Sequence, residues 1–268
     1  DTGDTLRILP FSNNIRSGES KSFFPDGKLK QTSTYIDNQL VGEVITYYPS
    51  GQISDRTIFK NNKPNGLSET FYESGKQASK VHFSEGRYEG LFEEFTENGQ
   101  ILVSATYKDG EVDGREMQYY EDGQVKSVID YADGILDGVY ELNYPDGSAE
   151  RRGTYRKGLA EGELIEYYED GTVREKSVYK KGLPIQPTVH YFPSEKLQTR
   201  KVYDKTGQVA RESTFHEKGQ IHFEINFLNG KPEGEVKIFR EDGSLEEIRR
   251  FRAGRIDGKR EFFDENGS

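Results

Sequence analysis

The chain contains no cysteine, no tryptophan and one methionine among 268 residues. The absence of cysteine excludes disulfides, thiol nucleophiles and cysteine-based metal sites, and it leaves the redox compartment open. No run of 18 or more apolar residues occurs, so no segment is long enough to cross a bilayer as a helix. Stabilisation by disulfides, stabilisation by cysteine-bound metal and anchoring by a membrane-spanning helix are therefore excluded.

Catalytic signatures are also missing. The sequence has no G-x-S-x-G elbow, no phosphate-binding loop and no zinc-ligand spacing. Its four histidines, His82, His190, His216 and His222, occupy different places in different repeats, and we interpret them as ordinary strand or surface residues. A histidine cluster around residues 190–222 is the alternative. We expect a protein that is not an enzyme, with no catalytic residues, no metal site and no cofactor.

The charge balance is acidic, with a net charge of −10. Hydrophobic residues make up 32% and charged residues 31%, which alone would favour disorder. However, 17 Tyr and 16 Phe concentrate the apolar surface in large side chains, which favours a thin, ordered structure. Nucleic acid and anionic membranes need a basic footprint, so neither is the expected partner, although peripheral lipid contact stays open.

A 24-residue repeat organises nearly the whole chain, and its reference copy is Gly110–Gly134. A glycine pair opens each copy, and a turn glycine follows nine residues after the second member of the pair. The second glycines are Gly18, Gly42, Gly66, Gly90, Gly114, Gly138, Gly162, Gly234 and Gly258, with Gln186 and Ala210 as replacements. This register predicts about eleven units.

Each unit is predicted to be a β-hairpin, because Asp-Gly or Asn-Gly between two alternating segments is a strong hairpin signal. The first strand is expected to run about six residues from the second glycine, and the Gly-x-x-x-Gly segment to act as a connection. We therefore predict an all-β fold, an elongated single-layer antiparallel sheet of about eleven consecutive 24-residue hairpins. Residues 1–13 are predicted to form a leader or cap, and residues 14–268 the repeat array.

Three apolar columns follow the register. One column is aromatic in the first strand, for example at Tyr119, and another is aromatic in the second strand, for example at Tyr131. The third is aliphatic and directly follows the turn, for example at Val125. Because side chains alternate between faces, the two second-strand columns, six residues apart, are expected to share one face.

A second aromatic ladder stands directly after the first-strand column. We predict that it points to the opposite face and forms an exposed row that contacts a partner, because Tyr combines an apolar body with a polar end. Its members are Phe24, Tyr48, Tyr72, Tyr120, Tyr144, Tyr168 and Phe192. A protein partner is the leading hypothesis, and carbohydrate or cell-envelope glycan is the alternative.

Acidic residues recur directly before the second glycine, for example Glu89, Asp113 and Glu161. Two interpretations are considered for them: turn chemistry, in which the side chain bonds its own backbone in the turn, and a row that binds cations. Recurrence in every unit favours turn chemistry.

These residues resemble the MORN repeat, and most closely its bacterial variant. The pattern is G-x(4)-[YF]-[YF]-x-[DN]-G with an aromatic second strand, and the best copies are Gly114–Gly134 and Gly162–Gly182. The resemblance covers residues 14–267 and implies a single-layer sheet of hairpins without catalytic motifs. It implies roles in protein interaction, scaffolding and, in some members, lipid association. The variant is often described as a toxin–antitoxin antitoxin component, so an antitoxin-like neutralising partner is a further alternative.

The pattern breaks between Gly182 and Gly219, where Pro184 and Pro187 enter the connection and Glu195 replaces the turn glycine. We interpret this segment as a bend, a bulge or a specialised surface, with neutral decay of the repeat as the alternative. Charges at Lys259–Glu261 should discourage edge pairing, so a monomer or weak dimer is expected. The first residue is Asp1 rather than Met, which is consistent with a removed leader; export to the cell envelope and a cytoplasmic location both stay open.

Overall fold

The computed structural model describes residues 5–265. The chain forms two compact units, Asp1–Ile135 and Leu136–Ser268. Within the described residues every regular element is a β-strand and no helix occurs. In each unit, most strands that follow one another in the sequence pair antiparallel, which confirms the predicted all-β sheet of consecutive hairpins. The second and third strands form a separate two-stranded sheet.

The strands of the first unit are β1 (Arg7–Ile8), β2 (Phe11–Ser12), β3 (Ile15–Arg16), β4 (Gly18–Phe23), β5 (Leu29–Ile36), β6 (Gln39–Tyr47), β7 (Ile53–Lys60), β8 (Lys63–Phe71), β9 (Gln77–Ser84), β10 (Arg87–Phe95), β11 (Ile101–Lys108), β12 (Glu111–Tyr119) and β13 (Val125–Ala132). Strand β14 (Ile135–Asn143) starts at the last residue of the first unit and otherwise lies in the second.

The remaining strands of the second unit are β15 (Ala149–Arg156), β16 (Leu159–Ala160), β17 (Gly162–Tyr167), β18 (Val173–Lys180), β19 (Leu183–Pro184), β20 (Thr188–Tyr191), β21 (Leu197–Tyr203), β22 (Val209–Phe215), β23 (Ile221–Leu228), β24 (Lys231–Phe239), β25 (Leu245–Arg252), β26 (Arg255–Ile256) and β27 (Glu261–Phe262).

Two kinds of turn alternate along the chain. A wide turn of five residues, such as 120–124, is closed by a bond from the N–H of Tyr120 to the carbonyl of Gln124 at 2.8 Å. A tight turn has two residues, such as Asp109 and Gly110, with φ of 52° and 93°. Positive φ at both positions is typical of the type I′ hairpin turn, which matches the twist of the flanking strands. Except at 192–196 and 204–208, the wide turns lie at the predicted turn glycines.

The prediction that Gly-x-x-x-Gly is a mere connection is wrong. Strand β12 begins directly after the tight turn and is nine residues long rather than about six. The second glycine, Gly114, lies inside this strand at a register shift, where Val112 pairs with Tyr107 and Glu116 pairs with Ala105. Its φ is 122°, a conformation that residues with a Cβ rarely adopt, so this glycine column marks a β-bulge.

A second bulge follows each wide turn and overturns the expected arrangement of the columns. Tyr119 pairs with Val125, whereas its neighbour Gln118 pairs with Ser127, so Lys126 is an extra residue. The extra residue reverses the alternation of side chains. The aliphatic column after the turn therefore shares a face with the first-strand aromatics, and the second-strand aromatics lie on the other face.

We call the face with the first-strand aromatics and the column after the turn the back face, and the face with the second-strand aromatics the front face. Side-chain contacts confirm this assignment. On the back face, Gln77 of the column after the turn donates to Glu69, two residues from the first-strand aromatic. On the front face, the hydroxyl of Tyr203 in the second-strand aromatic column donates to Thr188 Oγ1 at 2.8 Å. The prediction of a shared face for both second-strand columns was wrong because sequence alternation alone does not reveal the bulge.

The buried side chains of the described residues are few and mostly small, with Glu247 as the large exception. Most of them lie in the middle of the strands on the front face, where pairs such as Val44 and Thr57, or Ser68 and Val81, stand directly opposite each other. In the second unit, Ser177 is fully buried. No thick hydrophobic core is available in the described residues, so the packing of rings across neighbouring repeats carries the apolar burial.

The N-terminal segment pairs with the first repeat, since Ile8 of β1 lies opposite Lys21 of β4. The irregular segment after Gly182 differs in its turn type. A wide turn at 204–208 stands where the repeat register places a tight turn, and the flanking strands β21 and β22 shorten to seven residues.

Candidate interaction surfaces

The second aromatic ladder lies at the wide turns, because each of its members is the first residue of one. All seven side chains are half-buried rather than fully exposed. In the first unit these are Phe24, Tyr48, Tyr72 and Tyr120, and in the second unit Tyr144, Tyr168 and Phe192. Within each unit the structure thus places the predicted residues in one repeating row.

The ladder hydroxyls connect neighbouring repeats. Each of four tyrosines donates a hydrogen bond to a backbone carbonyl at the end of the next repeat's first strand. The bonds run from Tyr48 to Phe71 at 2.8 Å, from Tyr72 to Phe95 at 2.7 Å, from Tyr144 to Tyr167 at 2.8 Å and from Tyr168 to Tyr191 at 2.7 Å. These rings are therefore fixed at both ends, and their row is part of the fold.

Two members of the row were missed by the sequence analysis because they are not Tyr or Phe. His216 Nε2 lies 2.7 Å from the carbonyl oxygen of Phe239, and since a carbonyl only accepts, this nitrogen is the donor. Arg240 donates to the carbonyl of Phe263 in the same manner. The repeat register could have identified both residues, since each stands at the ladder position of its repeat.

The extra residue of the wide-turn bulge lies beside the ladder rings. Lys30 Nζ lies 5.7 Å from the ring centroid of Phe24, and Lys126 Nζ lies 5.9 Å from that of Tyr120. Partial burial raises the pKa of Tyr144, with a smaller contribution from the negative charge of Glu150 at this bulge position. The ladder surface thus combines half-exposed rings with charged side chains.

The front face of the first unit carries a strip of hydroxyl groups between its rings. Thr57 and Ser68 share a hydrogen bond of 2.7 Å, and Thr70 and Ser79 share another of the same length. Asp55 accepts from Thr57, and burial raises the pKa of its carboxyl group. Because these hydroxyls bond to one another, their hydrogen-bonding capacity is largely used inside the protein.

The acidic column before the second glycine accepts backbone N–H groups of turns, but not those of the acid's own turn, which the first interpretation had predicted. Glu89 accepts the backbone N–H of Asp109 at 3.0 Å, and Glu161 accepts that of Lys181 at 2.7 Å. These donors belong to the tight turn of the next repeat rather than to the turn beside each acid. The carboxylates therefore help to join neighbouring repeats.

Three of the histidines contact a carboxylate or another histidine. His190 contacts Glu175 at 3.0 Å on the front face, and His216 lies 4.6 Å from His222 between ring centroids. Within the described residues, no group of three or more His, Asp or Glu side chains is arranged to hold a metal ion. The same part of the chain contains no helix long and apolar enough to cross a membrane.

Comparison with known proteins gives a family match in part of the chain. Five segments match the family described as MORN repeat variant, at residues 16–37, 40–61, 88–109, 112–133 and 160–181. Each match contains one wide turn and the strands on both sides of it. Segments 64–85 and 136–157 form hairpins with the same pairing although the family match does not include them.

No curated protein matches the chain. Among solved structures, the chain is similar to the crystal structure of TcdB2-TccC3, with 12% sequence identity and a TM-score of 0.19. That similarity covers 89% of this chain but 15% of the other chain, so this chain spans a small part of that protein's length.

Proposed function

We propose that this chain, five of whose hairpins match the MORN repeat variant, is a non-enzymatic scaffold that binds a protein partner along the second aromatic ladder. Repeats of this family generally bind proteins or membranes. The observation that supports a protein partner is the row of half-exposed rings whose hydroxyls are tied to the next repeat. The proposed contacts are Phe24, Tyr48, Tyr72, Tyr120, Tyr144, Tyr168 and Phe192.

Pre-organisation is the physical reason for this choice. A ring held by a hydrogen bond loses little conformational entropy when a partner covers it, so more of the contact energy is left for binding. Tyrosine is suited to this role because it offers a large rigid surface with few rotatable bonds. Two strands separate successive rings, which spaces them about 10 Å apart within a unit. A regular partner segment can contact several rings at once.

Carbohydrate binding is the second proposal, because rings beside carboxylates also suit sugars. The front-face hydroxyls that would recognise a sugar are bonded to one another, as Thr57 and Ser68 are, which favours the protein partner. An antitoxin-like neutralising role is one special form of protein binding, and it requires that the captured partner is a toxin.

Site-specific photo-crosslinking in cells tests the proposal. The photoreactive residue p-benzoylphenylalanine replaces Tyr168 in one variant and Tyr167 in the other. These neighbours form a matched pair, because the first belongs to the ladder and the second to the back-face column. We expect a protein adduct from position 168 and none from position 167, and mass spectrometry then identifies the adduct.

Binding of the identified protein is next measured with purified components. Replacing both Tyr144 and Tyr168 by Phe keeps the rings, whereas replacing both by Ser removes them. We expect the Phe variant to bind more weakly than the unmodified chain, because it keeps the rings but lacks the hydroxyl bonds that hold them, and the Ser variant to lose binding, with unchanged circular dichroism in both. Equal adducts at positions 167 and 168, or binding only to a glycan array, would reject the ladder as a protein-binding surface.

A further inference from the structure

A groove lies in the second unit where the repeat pattern breaks. In regular repeats the second residue of each tight turn donates its N–H to a carbonyl of the preceding repeat, as Gly182 does to Ala160 at 2.9 Å. Thr206 follows Pro184 by the same number of residues as Gly182 follows Ala160, so its N–H would be the equivalent donor to the Pro184 carbonyl. Its N–H donates instead to Asp204 Oδ1 at 2.8 Å, because the turn at 204–208 is wide. Within residues 5–265, no backbone N–H of the next repeat reaches the Pro184 carbonyl.

The walls of the groove are apolar. Its volume is about 540 Å³, and its apolar lining consists of Leu183, Pro184, Ile185, Pro187, Val202 and Tyr203. Leu183 is 49% exposed and Ile185 is 56% exposed, so two aliphatic side chains of the same short segment are open to a ligand. Pro184 and Pro187 have no backbone N–H, so at these two positions the segment offers only carbonyl acceptors, while Gln186 adds one amide side chain to the lining. The surface is suited to an extended chain that brings an aliphatic side chain and an N–H group.

The rim of the groove is basic in a chain whose net charge is −10. Lys180, Lys181 and Lys205 border it, and all three are exposed. In the described part of the chain, none of their ammonium groups lies within 4.0 Å of a carboxylate. Asp204, the acidic residue at the rim, already accepts hydrogen bonds from the N–H and the hydroxyl of Thr206. The local charge therefore favours an acidic ligand.

We infer that this groove binds an extended acidic segment of another protein. An aliphatic side chain of the segment lies between Leu183, Ile185 and Val202, and a backbone N–H of the segment donates to the Pro184 carbonyl. Flanking carboxylates pair with the three lysines, which adds electrostatic complementarity and speeds association. This inference goes beyond the proposed function, because it names a second surface that shares no residue with the ladder.

The test uses the purified full chain and a random dodecapeptide phage library. We expect enriched peptides that combine an aliphatic residue with two or more neighbouring acidic residues. The strongest peptide, synthesised with a fluorescent label, is then titrated with the protein by anisotropy. Replacing Lys180, Lys181 and Lys205 together by Glu should weaken its binding at least tenfold, as should Ile185→Ser.

A matched control removes the same charges elsewhere. Lys60 and Lys108 occupy the repeat position of Lys180, and Lys157 occupies the tight-turn position of Lys181. Replacing these three by Glu changes the net charge equally and should leave peptide binding within twofold of the unmodified chain. Circular dichroism and urea unfolding verify that every variant is folded; the changed groove side chains are exposed, so Ile185→Ser is a safe second variant.

Three results would overturn the inference. The first is a library without enriched acidic–aliphatic peptides, and the second is equal peptide binding by the groove variant and the control variant. The third is the absence of peptide binding together with lysine-dependent binding to phosphatidylserine vesicles, which would assign the groove to a membrane surface. The Ser variant of Tyr144 and Tyr168 should still bind the peptide, so failure of the ladder proposal and failure of the groove proposal are distinguishable.

Discussion

The hydroxyl of Tyr72 donates a hydrogen bond to the carbonyl oxygen of Phe95 at 2.7 Å, and the two residues belong to successive repeats. The bond joins the start of one wide turn to the end of the next repeat's first strand. Because a hairpin is too small to fold alone, such bonds between repeats contribute to the stability of the array rather than to one unit. The ladder therefore serves the fold as well as the proposed interaction.

The first prediction concerns this bond. Tyr72→Phe leaves the Phe95 carbonyl without its donor and should lower the free energy of unfolding by about 1 kcal/mol, measured by urea denaturation. Tyr47→Phe is the control, because the Tyr47 hydroxyl makes no hydrogen bond within the described residues. Its effect should be smaller than about 0.5 kcal/mol. Equal losses in the two variants would contradict a special role of the ladder hydroxyl.

The second prediction concerns the fit of side chains on the front face. Gly153 lies opposite Tyr140, and a Cβ at Gly153 would stand 2.6 Å from Leu164 Cδ1. Gly153→Val should therefore destabilise the protein by about 1–3 kcal/mol through overpacking. The same column carries Val81 in another repeat, where its opposite neighbour is the small Ser68.

Leu164→Ala provides the matched test of that explanation. The double variant should be more stable than the sum of the two single effects predicts, by about 0.5 kcal/mol or more, because the smaller side chain makes room for Val. Thermal or urea unfolding of the four proteins gives the coupling energy. Strict additivity would show that Gly153 is required for another reason.

The third prediction is a pH dependence in the second unit. Burial lowers the pKa of His222 below its ordinary value of 6.5, and the neighbouring His216 lowers it further, while Glu246 opposes both. The unfolded chain then binds a proton at higher pH than the folded chain does. The contribution of His222 to stability is fully present above pH 6.5 and is lost as the pH falls through its folded pKa.

His222→Gln should flatten this dependence between pH 7 and about pH 5, the region where an ordinary histidine titrates. The measurement is the urea midpoint at each pH for both proteins. His82→Gln serves as a control, since it changes a histidine of the first unit. An unchanged slope in the His222 variant would mean that other groups cause the acid sensitivity.

The fourth prediction concerns the wide turn at 204–208. Asp204 Oδ1 accepts the N–H groups of Thr206 and Gln208 at 2.8 Å and 3.0 Å. Asp204→Ala should therefore accelerate hydrogen exchange of the Thr206 amide, whereas the Thr172 amide, held by Asp170 in the same way at 2.9 Å, keeps its rate. Slow exchange at Thr206 in the variant would indicate that its N–H has found the Pro184 carbonyl instead.

The sequence was sufficient for the hairpins, because its turn residues have fixed conformational requirements. Gly123 and its equivalents placed the wide turns, and the repeat register placed the strands around them. The tight turns were not recognised, although Asp109-Gly110 and Asn229-Gly230 carry the Asp-Gly or Asn-Gly signature, because their glycines were assigned to a connection between hairpins. The first strand of each hairpin was consequently predicted too short.

The faces could not be predicted from alternation, because Lys126 and its equivalents are inserted without any characteristic residue type. Lys, Ser, Ala, Leu, Glu and Arg all occupy this bulge position in different repeats, so the residue type does not predict the bulge. The register located the ladder positions, but the bonds that hold the tyrosine rings depend on a carbonyl almost one full repeat away, which no local pattern reports. His216 and Arg240 were missed because a search for rings ignores other donors.

The contacts between repeats have fixed separations along the chain, which are almost one repeat for both the tight-turn bonds and the ladder bonds. A single-residue insertion in any strand would move both donors away from their acceptors, whereas the addition or loss of one whole copy would restore every partner. The irregular segment obeys the same constraint, since its wide turns at 192–196, 204–208 and 216–220 divide one repeat into two equal halves and so preserve its length. Length variation among proteins built this way should therefore occur in steps of one whole repeat, and a coding sequence should gain or lose the codons of a complete copy at a time.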